Sequence, residues 1–229
     1  MNPYKMHREI LSRLLPKTGI NIFDELIQEF EAHFNRAVTT IEQMKDKANK
    51  KKRGDIWEQF CRDYLLISGG FVQVWLLKDF NTQYPGYFPN QDNGIDLIGQ
   101  TYTGWVAIQA KYRGKKKYLD WKQLSTFVGM CAQSKLPLES HLIMTNCMGI
   151  SNKFNASGKD RSICRRTFQN TSREQWMKMV GTYQEHRLIE PTPMEIIQPN
   201  GTVTATVITP KKPETLEELR AARIAKFTS

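Results

Sequence analysis

The stretch NGIDLIGQTYTGWVAIQAKYRGKKK, residues 93–117, decides how the rest of the chain is read. Two short apolar runs flank a Thr/Gly-rich bend, the pattern of a β-hairpin. The first run, 94–100, contains Asp96, and the second, 104–112, contains Gln109 and Lys111. A chain needing only a sheet would carry Val or Ile there, because a buried charge is costly unless something pairs with it. Side chains alternate across a strand, so Gln109 and Lys111 point the same way. With the bend centred near Tyr102, Asp96 falls opposite residue 108 or 109, and pairing with Gln109 brings Lys111 to the diagonal. An acid, an amide oxygen and an ammonium then converge on one face. Such a group suits a hard divalent cation bound by oxygens, with a lysine near an attacking water. A neutral amide brings no charge to that cation, so a glutamate at 109 would be expected to tighten metal binding.

Outward from the hairpin, the pattern predicts helices and one more buried strand. Residues 55–70 read as a helix with Trp57, Phe60, Cys61, Tyr64 and Leu65 on one stripe, closed by Gly69 and Gly70. Residues 71–77 read as a strand, 78–94 as a long Pro/Gly/Asn loop, 120–134 as a helix and 141–147 as a strand. A hairpin plus a strand reached over a helix implies a mixed sheet with helices packed on it. Before this core, 7–15 and about 21–50 look helical, with Phe23, Leu26, Ile27, Phe30, Phe34, Val38 and Ile41 at three- and four-residue steps. That stripe either packs on the core or forms a dimer surface. After the core, 171–188 reads as a helix, 201–210 as a strand and 213–227 as a terminal amphipathic helix, with five prolines between 191 and 213. The expected organisation is a helical N-terminal arm over 1–50, a core over 51–190 and a C-terminal appendage over 191–229.

Thirty-three Lys and Arg against 23 Asp and Glu leave a formal charge of +10, which favours a polyanionic partner such as nucleic acid. The positives cluster at 45–55, 111–117 and 159–168. Lys51, Lys52, Arg53, Lys115, Lys116, Lys117, Arg165 and Arg166 are therefore the candidate nucleic-acid contacts. The cysteines Cys61, Cys131, Cys147 and Cys164 are scattered without a CxxC pair, which argues for reduced thiols over a zinc site that includes His141. No window approaches the ~20 apolar residues of a membrane span, and the first ten residues lack the apolar core of a secretory signal. The expectation is an intracellular, soluble protein.

Gly94-Ile95-Asp96 followed by Ile108-Gln109-Ala110-Lys111, with an acid on an upstream helix, resembles the PD-(D/E)xK nuclease superfamily. It looks most like the Mrr-like restriction endonuclease branch, in which glutamine replaces the first acid of the (D/E)xK element. The helix–hairpin–helix–strand order over about 54–150 also fits that fold. The resemblance implies a restriction-endonuclease-like α/β core and a divalent-metal-dependent DNA endonuclease. Its catalytic set would be Glu58, Asp96, Gln109 and Lys111. Mg²⁺ or Mn²⁺ would be held by Asp96, Gln109 and Glu58, with Ala110 added to the metal-binding set. Similar modules are fused to superfamily-2 helicases. No Walker lysine motif occurs here, so a helicase would have to act in trans; a homodimer is the other partner left open.

Each residue also has a plainer reading. Asp55 and Glu58 have the spacing of a capping box, Lys111 could be an edge lysine that deters strand pairing, and Gln109 could hydrogen-bond inside the sheet. Asp96 could cap the turn begun by Asn93 and Gly94. Trp121 and Gln123 are placed near the same cleft or in a core or surface role. Two other functions fit the same features. One is a nucleic-acid-binding protein of this fold with weakened catalysis. The other is a non-enzymatic assembly protein that uses its basic segments.

Overall fold

The central strands are short, apolar and bounded by polar turns, and they assemble into a five-stranded sheet. The computed structural model describes residues 5–34, 42–88, 94–113, 118–154 and 160–181, all within the unit Met1–Gln184. The C-terminal appendage, Asn93, Val38, Ile41 and Lys115 to Lys117 lie outside the described residues. The sheet order is β1 (Gln73–Leu76), β2 (Leu97–Gln100), β3 (Trp105–Lys111), β5 (Leu138–Thr145) and β7 (Asp160–Ile163). β1, β2 and β3 are antiparallel neighbours, whereas β3–β5 and β5–β7 are parallel. A separate parallel pair joins β4 (Tyr118–Leu119) to β6 (Gly149–Ile150). The mixed sheet is therefore as the hairpin and the helix crossover require.

Alternation sorts the strand side chains between two cores. Val74, Leu76, Leu97, Val106, Ile108 and Ala110 face α1 (Met6–Leu14), α2 (Ile22–Phe34), α3 (Glu42–Ser68), α6 (Arg165–Gln169) and α7 (Arg173–Gly181). Trp75, Ile98, Ala107 and Ile143 face α4 (Leu77–Gln83) and α5 (Trp121–Ala132). α5 opens with a capping box between Asp120 and Gln123, so the Gln123 side chain is used at the helix start.

Three expectations need correcting. The helices expected over about 21–50 and 55–70 are not separate across the lysine run: α3 continues from Glu42 to Ser68, because Lys, Arg, Asp and Ala tolerate helix whether or not an apolar stripe is present. Asp55 and Glu58 thus lie inside a helix, where no free N-terminus exists to cap. The supposed loop after β1 holds α4, whose Phe80 is fully buried. Lys111 lies past the end of β2, which pairs with β3 only as far as Ile108, so at Lys111 the strand meets β5 alone and the edge reading stands. Of the two uses open to the α2 stripe, packing on the core is the one seen: Phe23 stacks on Phe168 at 4.7 Å between centroids, and Leu26, Ile27 and Phe30 are buried in the same core.

α1 and α3 are also pinned by a buried polar cluster. Asp63 Oδ2 accepts from His7 Nε2 at 2.8 Å and from Arg8 Nε and Nη2 at 2.9 and 2.6 Å, and Oδ1 accepts from Gln59 Nε2 at 3.1 Å. Burial by itself raises the Asp63 pKa, but the His7 and Arg8 hydrogen bonds and charges outweigh it and hold the carboxyl below the usual aspartate range. A lowered folded-state pKa adds stability that is complete above the unfolded value of about 3.9. That stability is lost as pH falls through the lower folded value. Denaturant melts from pH 7 to pH 2 should show this acid-side loss, and Asp63→Ala should remove it. At neutral pH the same variant should lose about 3–5 kcal/mol, because a buried charge loses its acceptor.

Candidate active site

β2 stops pairing at Leu97, and Asp96 takes over where the ladder ends. Leu97 lies opposite Ile108. One step back, the Asp96 main-chain N–H donates to the Ile108 carbonyl at 2.9 Å, and its Oδ2 accepts from the Ala110 N–H at 2.7 Å. Those two bonds bracket Gln109, which is the register expected from the bend. On the other side, the Asp96 carbonyl accepts from Leu77 N–H at 2.9 Å. Backbone and carboxylate are therefore both fixed, with the side chain half-buried.

Gln109 sits in the middle of β3 at 1% exposure, on the face turned towards α5. Its Nε2 donates to the Gly94 carbonyl at 2.6 Å, so the reading of Gln109 as a sheet hydrogen-bonder holds for one end of the amide. The other end, Oε1, is buried and has no hydrogen-bond partner among the described residues. A buried acceptor left unmet costs about 1–3 kcal/mol, so its presence asks for a donor or a cation. A hard divalent ion takes carboxylate and amide oxygens, and Gln109 stands between the two β3 residues, Ile108 and Ala110, to which Asp96 bonds. Among the described residues no group of three or more His, Cys, Asp or Glu is arranged to hold a metal ion.

Lys111 closes β3 opposite Thr145 and is half-buried at the C-terminal end of two parallel strands, the usual end for ligand sites in open α/β sheets. Glu58 is half-buried on α3. The thiol of Cys61, one turn further along, is pushed well above its ordinary pKa by burial first, then by the charges of Asp96 and of Glu58. Both carboxylates thus act on one buried thiol. Ala110 contributes its N–H to Asp96, while its side chain joins the core beneath the helices. Trp121 packs partly buried against the opposite core.

Sequence reasoning missed a clamp just beyond Lys111. Asn146, 4% exposed, accepts from the Arg113 N–H through Oδ1 at 2.8 Å and donates from Nδ2 to the Arg113 carbonyl at 2.9 Å. The side-chain amide mimics one more rung between β3 and β5, and so fixes the chain at Arg113, just beyond the end of β3. The only hint in sequence is an Asn directly after a buried strand.

The basic candidates divide. Lys51, Lys52 and Arg166 are exposed. Arg53 lies over the Phe34 and Tyr112 rings at 5.2 and 5.9 Å and is 3.9 Å from Glu31. Arg165 pairs with Asp24 at 2.7 Å. Both arginines hold the helical layer together. The four cysteines are free thiols, with Cys61, Cys131 and Cys147 buried.

A mixed α/β sheet flanked by helices, with Asp96 pinned against a Gln-x-Lys strand, defines a restriction-endonuclease-like core. A restriction endonuclease family model, of the Mrr catalytic type, matches residues 66–188, more than half of the 229 residues. The chain belongs to that family, whose members are PD-(D/E)xK nucleases. Asp96, Gln109 and Lys111 lie inside the matched segment, and Glu58 precedes it. Neither curated proteins nor solved structures gave a match. No described helix is long and apolar enough to cross a membrane.

Replacing Asn146 with Leu should strip both Arg113 backbone groups of their partner at about 1–3 kcal/mol, read by urea unfolding. Hydrogen exchange at the Arg113 amide should accelerate in the same variant.

Proposed function

We propose that this protein is a divalent-metal-dependent DNA endonuclease that hydrolyses phosphodiester bonds. The observation that carries the reading is the buried Oε1 of Gln109, without a partner among the described residues, on a strand that pins Asp96 and ends two residues on at Lys111. Asp96, Gln109 and Glu58, with Ala110, would hold Mg²⁺ or Mn²⁺. When bound, such an ion supplies positive charge to a phosphate oxygen and makes water more acidic.

The remaining chemistry belongs to the chain. Asp96 is an anion whose geometry is set before substrate arrives, because its main-chain N–H, main-chain carbonyl and Oδ2 are all engaged. It therefore needs no reorganisation during the reaction. Lys111 brings an ammonium to the same strand end, where it orients the attacking water or balances the charge that builds on the phosphate. Glu58 adds a second carboxylate from α3. Exposed Lys51 and Lys52, with Lys115, Lys116 and Lys117, would hold the DNA backbone. A helicase acting in trans and a homodimer are compatible with this role.

The test is a plasmid and oligonucleotide cleavage panel with Mg²⁺, Mn²⁺ or EDTA. Cleavage should need the metal, and Asp96→Ala and Lys111→Ala should each abolish it while the thermal melt changes little. Full activity in either variant removes that residue from the mechanism. Binding that persists in EDTA without any cleavage under metal would favour a nucleic-acid-binding protein with lost catalysis.

Affinity should depend on salt, since Lys and Arg displace counterions from the phosphates. Neutralising Lys115, Lys116 and Lys117 together should flatten the plot of log K against log salt by about 2–3 units of slope. Discrimination between sequences should stay the same. Fluorescence anisotropy across a salt series measures both.

A further inference from the structure

We infer that Gly94 is a positioning residue that makes glutamine, and not an acid, the side chain specified at position 109. The inference rests on Gln109 being a metal ligand, as proposed above.

An amide has two chemically different ends, one a donor and the other an acceptor. The Gly94 carbonyl oxygen lies 2.6 Å from one end of the Gln109 amide, a place that only a donor can fill. Nε2 is thereby committed to Gly94, and Oε1 is left where no donor among the described residues meets it. The carbonyl cannot easily yield. Gly94 has φ +81°, a left-handed conformation that a residue with a side chain rarely adopts. A Cβ there would stand 3.1 Å from Gln109 Nε2, and 3.5 and 3.6 Å from the Phe127 backbone N and Cα on α5. The glycine thus allows α5 and the Gln109 amide to crowd the same turn.

A glutamate at 109 would set a carboxylate oxygen where Nε2 now stands, facing the Gly94 carbonyl at a distance suited to a hydrogen bond, with no hydrogen between them. The side chain would have to swing away, and its second oxygen would leave the position that Oε1 holds. Charge alone argues that Gln109→Glu tightens cation binding; the Gly94 carbonyl reverses that expectation. Glutamine here is a fitted part of the site, not a degraded acid.

Mn²⁺ titration calorimetry on the full chain separates these cases without reference to activity. The set is wild type, Asp96→Ala, Gln109→Ala, Gln109→Glu, Gly94→Ala and the Gly94→Ala/Gln109→Ala double variant, each checked by thermal melt. Gln109→Glu should bind Mn²⁺ no more tightly than wild type. Gly94→Ala should weaken binding about tenfold or more, the scale of losing a residue that orients a ligand. The double variant should bind no worse than Gln109→Ala, because Gly94 acts on the metal only through that amide. Tenfold tighter binding by Gln109→Glu would overturn the inference, and so would a double variant weaker than Gln109→Ala by the full Gly94→Ala factor. If Gly94→Ala does not fold, the Gln109→Glu comparison still decides. Wild-type affinity in Asp96→Ala would sink the metal-centre reading and this inference together. Weakened Asp96→Ala alongside tightened Gln109→Glu would sink this inference alone.

Discussion

Everything at the site depends on one hydrogen bond, from the Ala110 N–H to the Asp96 carboxylate. Strand β3 is central and buried, so each of its amides needs an acceptor. Where β2 ends, no main-chain carbonyl is left on that side at Ala110, and the aspartate supplies the oxygen. The carboxylate is thus required twice over, once to finish the sheet and once to bring charge to the strand end. This answers why a strand would admit an acid among apolar residues: the acid sits where the ladder stops. Gln109 then finds its place by the same rule, with its own amide meeting the Gly94 carbonyl.

The two cores make that arrangement rigid. On one side the aromatic rings of Phe23, Trp57, Phe60, Phe168 and Trp176 bind α2, α3, α6 and α7 into a single layer under the sheet. On the other, Phe127 of α5 is fully buried, and its backbone lies against Gly94. A site built from strand ends inherits the precision of both layers, which residues held on loops alone would lack.

The sheet and the hairpin were legible because alternation leaves a clear mark when one strand is flanked by turns. Asp96, Gln109 and Lys111 stood out by violating that alternation. The elements that escaped notice are those where composition misleads. Residues 78–83 carry Lys, Asp, Asn, Thr and Gln and read as loop, yet a buried Phe80 is enough to fold them as α4. β7 hides among the charges of 159–168, because pairing with β5 needs its backbone more than its side chains. The glycine at 94 reads as turn punctuation, and only the distance to Gln109 reveals that it faces a side chain. Arg53 and Arg165 show the converse limit: their charge was visible, but not that Glu31, Asp24 and aromatic rings would claim it.

The unbroken course of α3 constrains how this chain can change over time. Lys51, Lys52 and Glu58 ride on one helix with no joint between them. At about 1.5 Å of rise per residue, Glu58 lies roughly 10 Å from the two lysines along the axis. Inserting or deleting a single residue between them would turn Glu58 by about 100° around that axis relative to the two lysines. Substitutions in the lysine run are cheap, whereas length changes there are not. The spacing, more than the identity, of residues 53–57 is what this helix must keep.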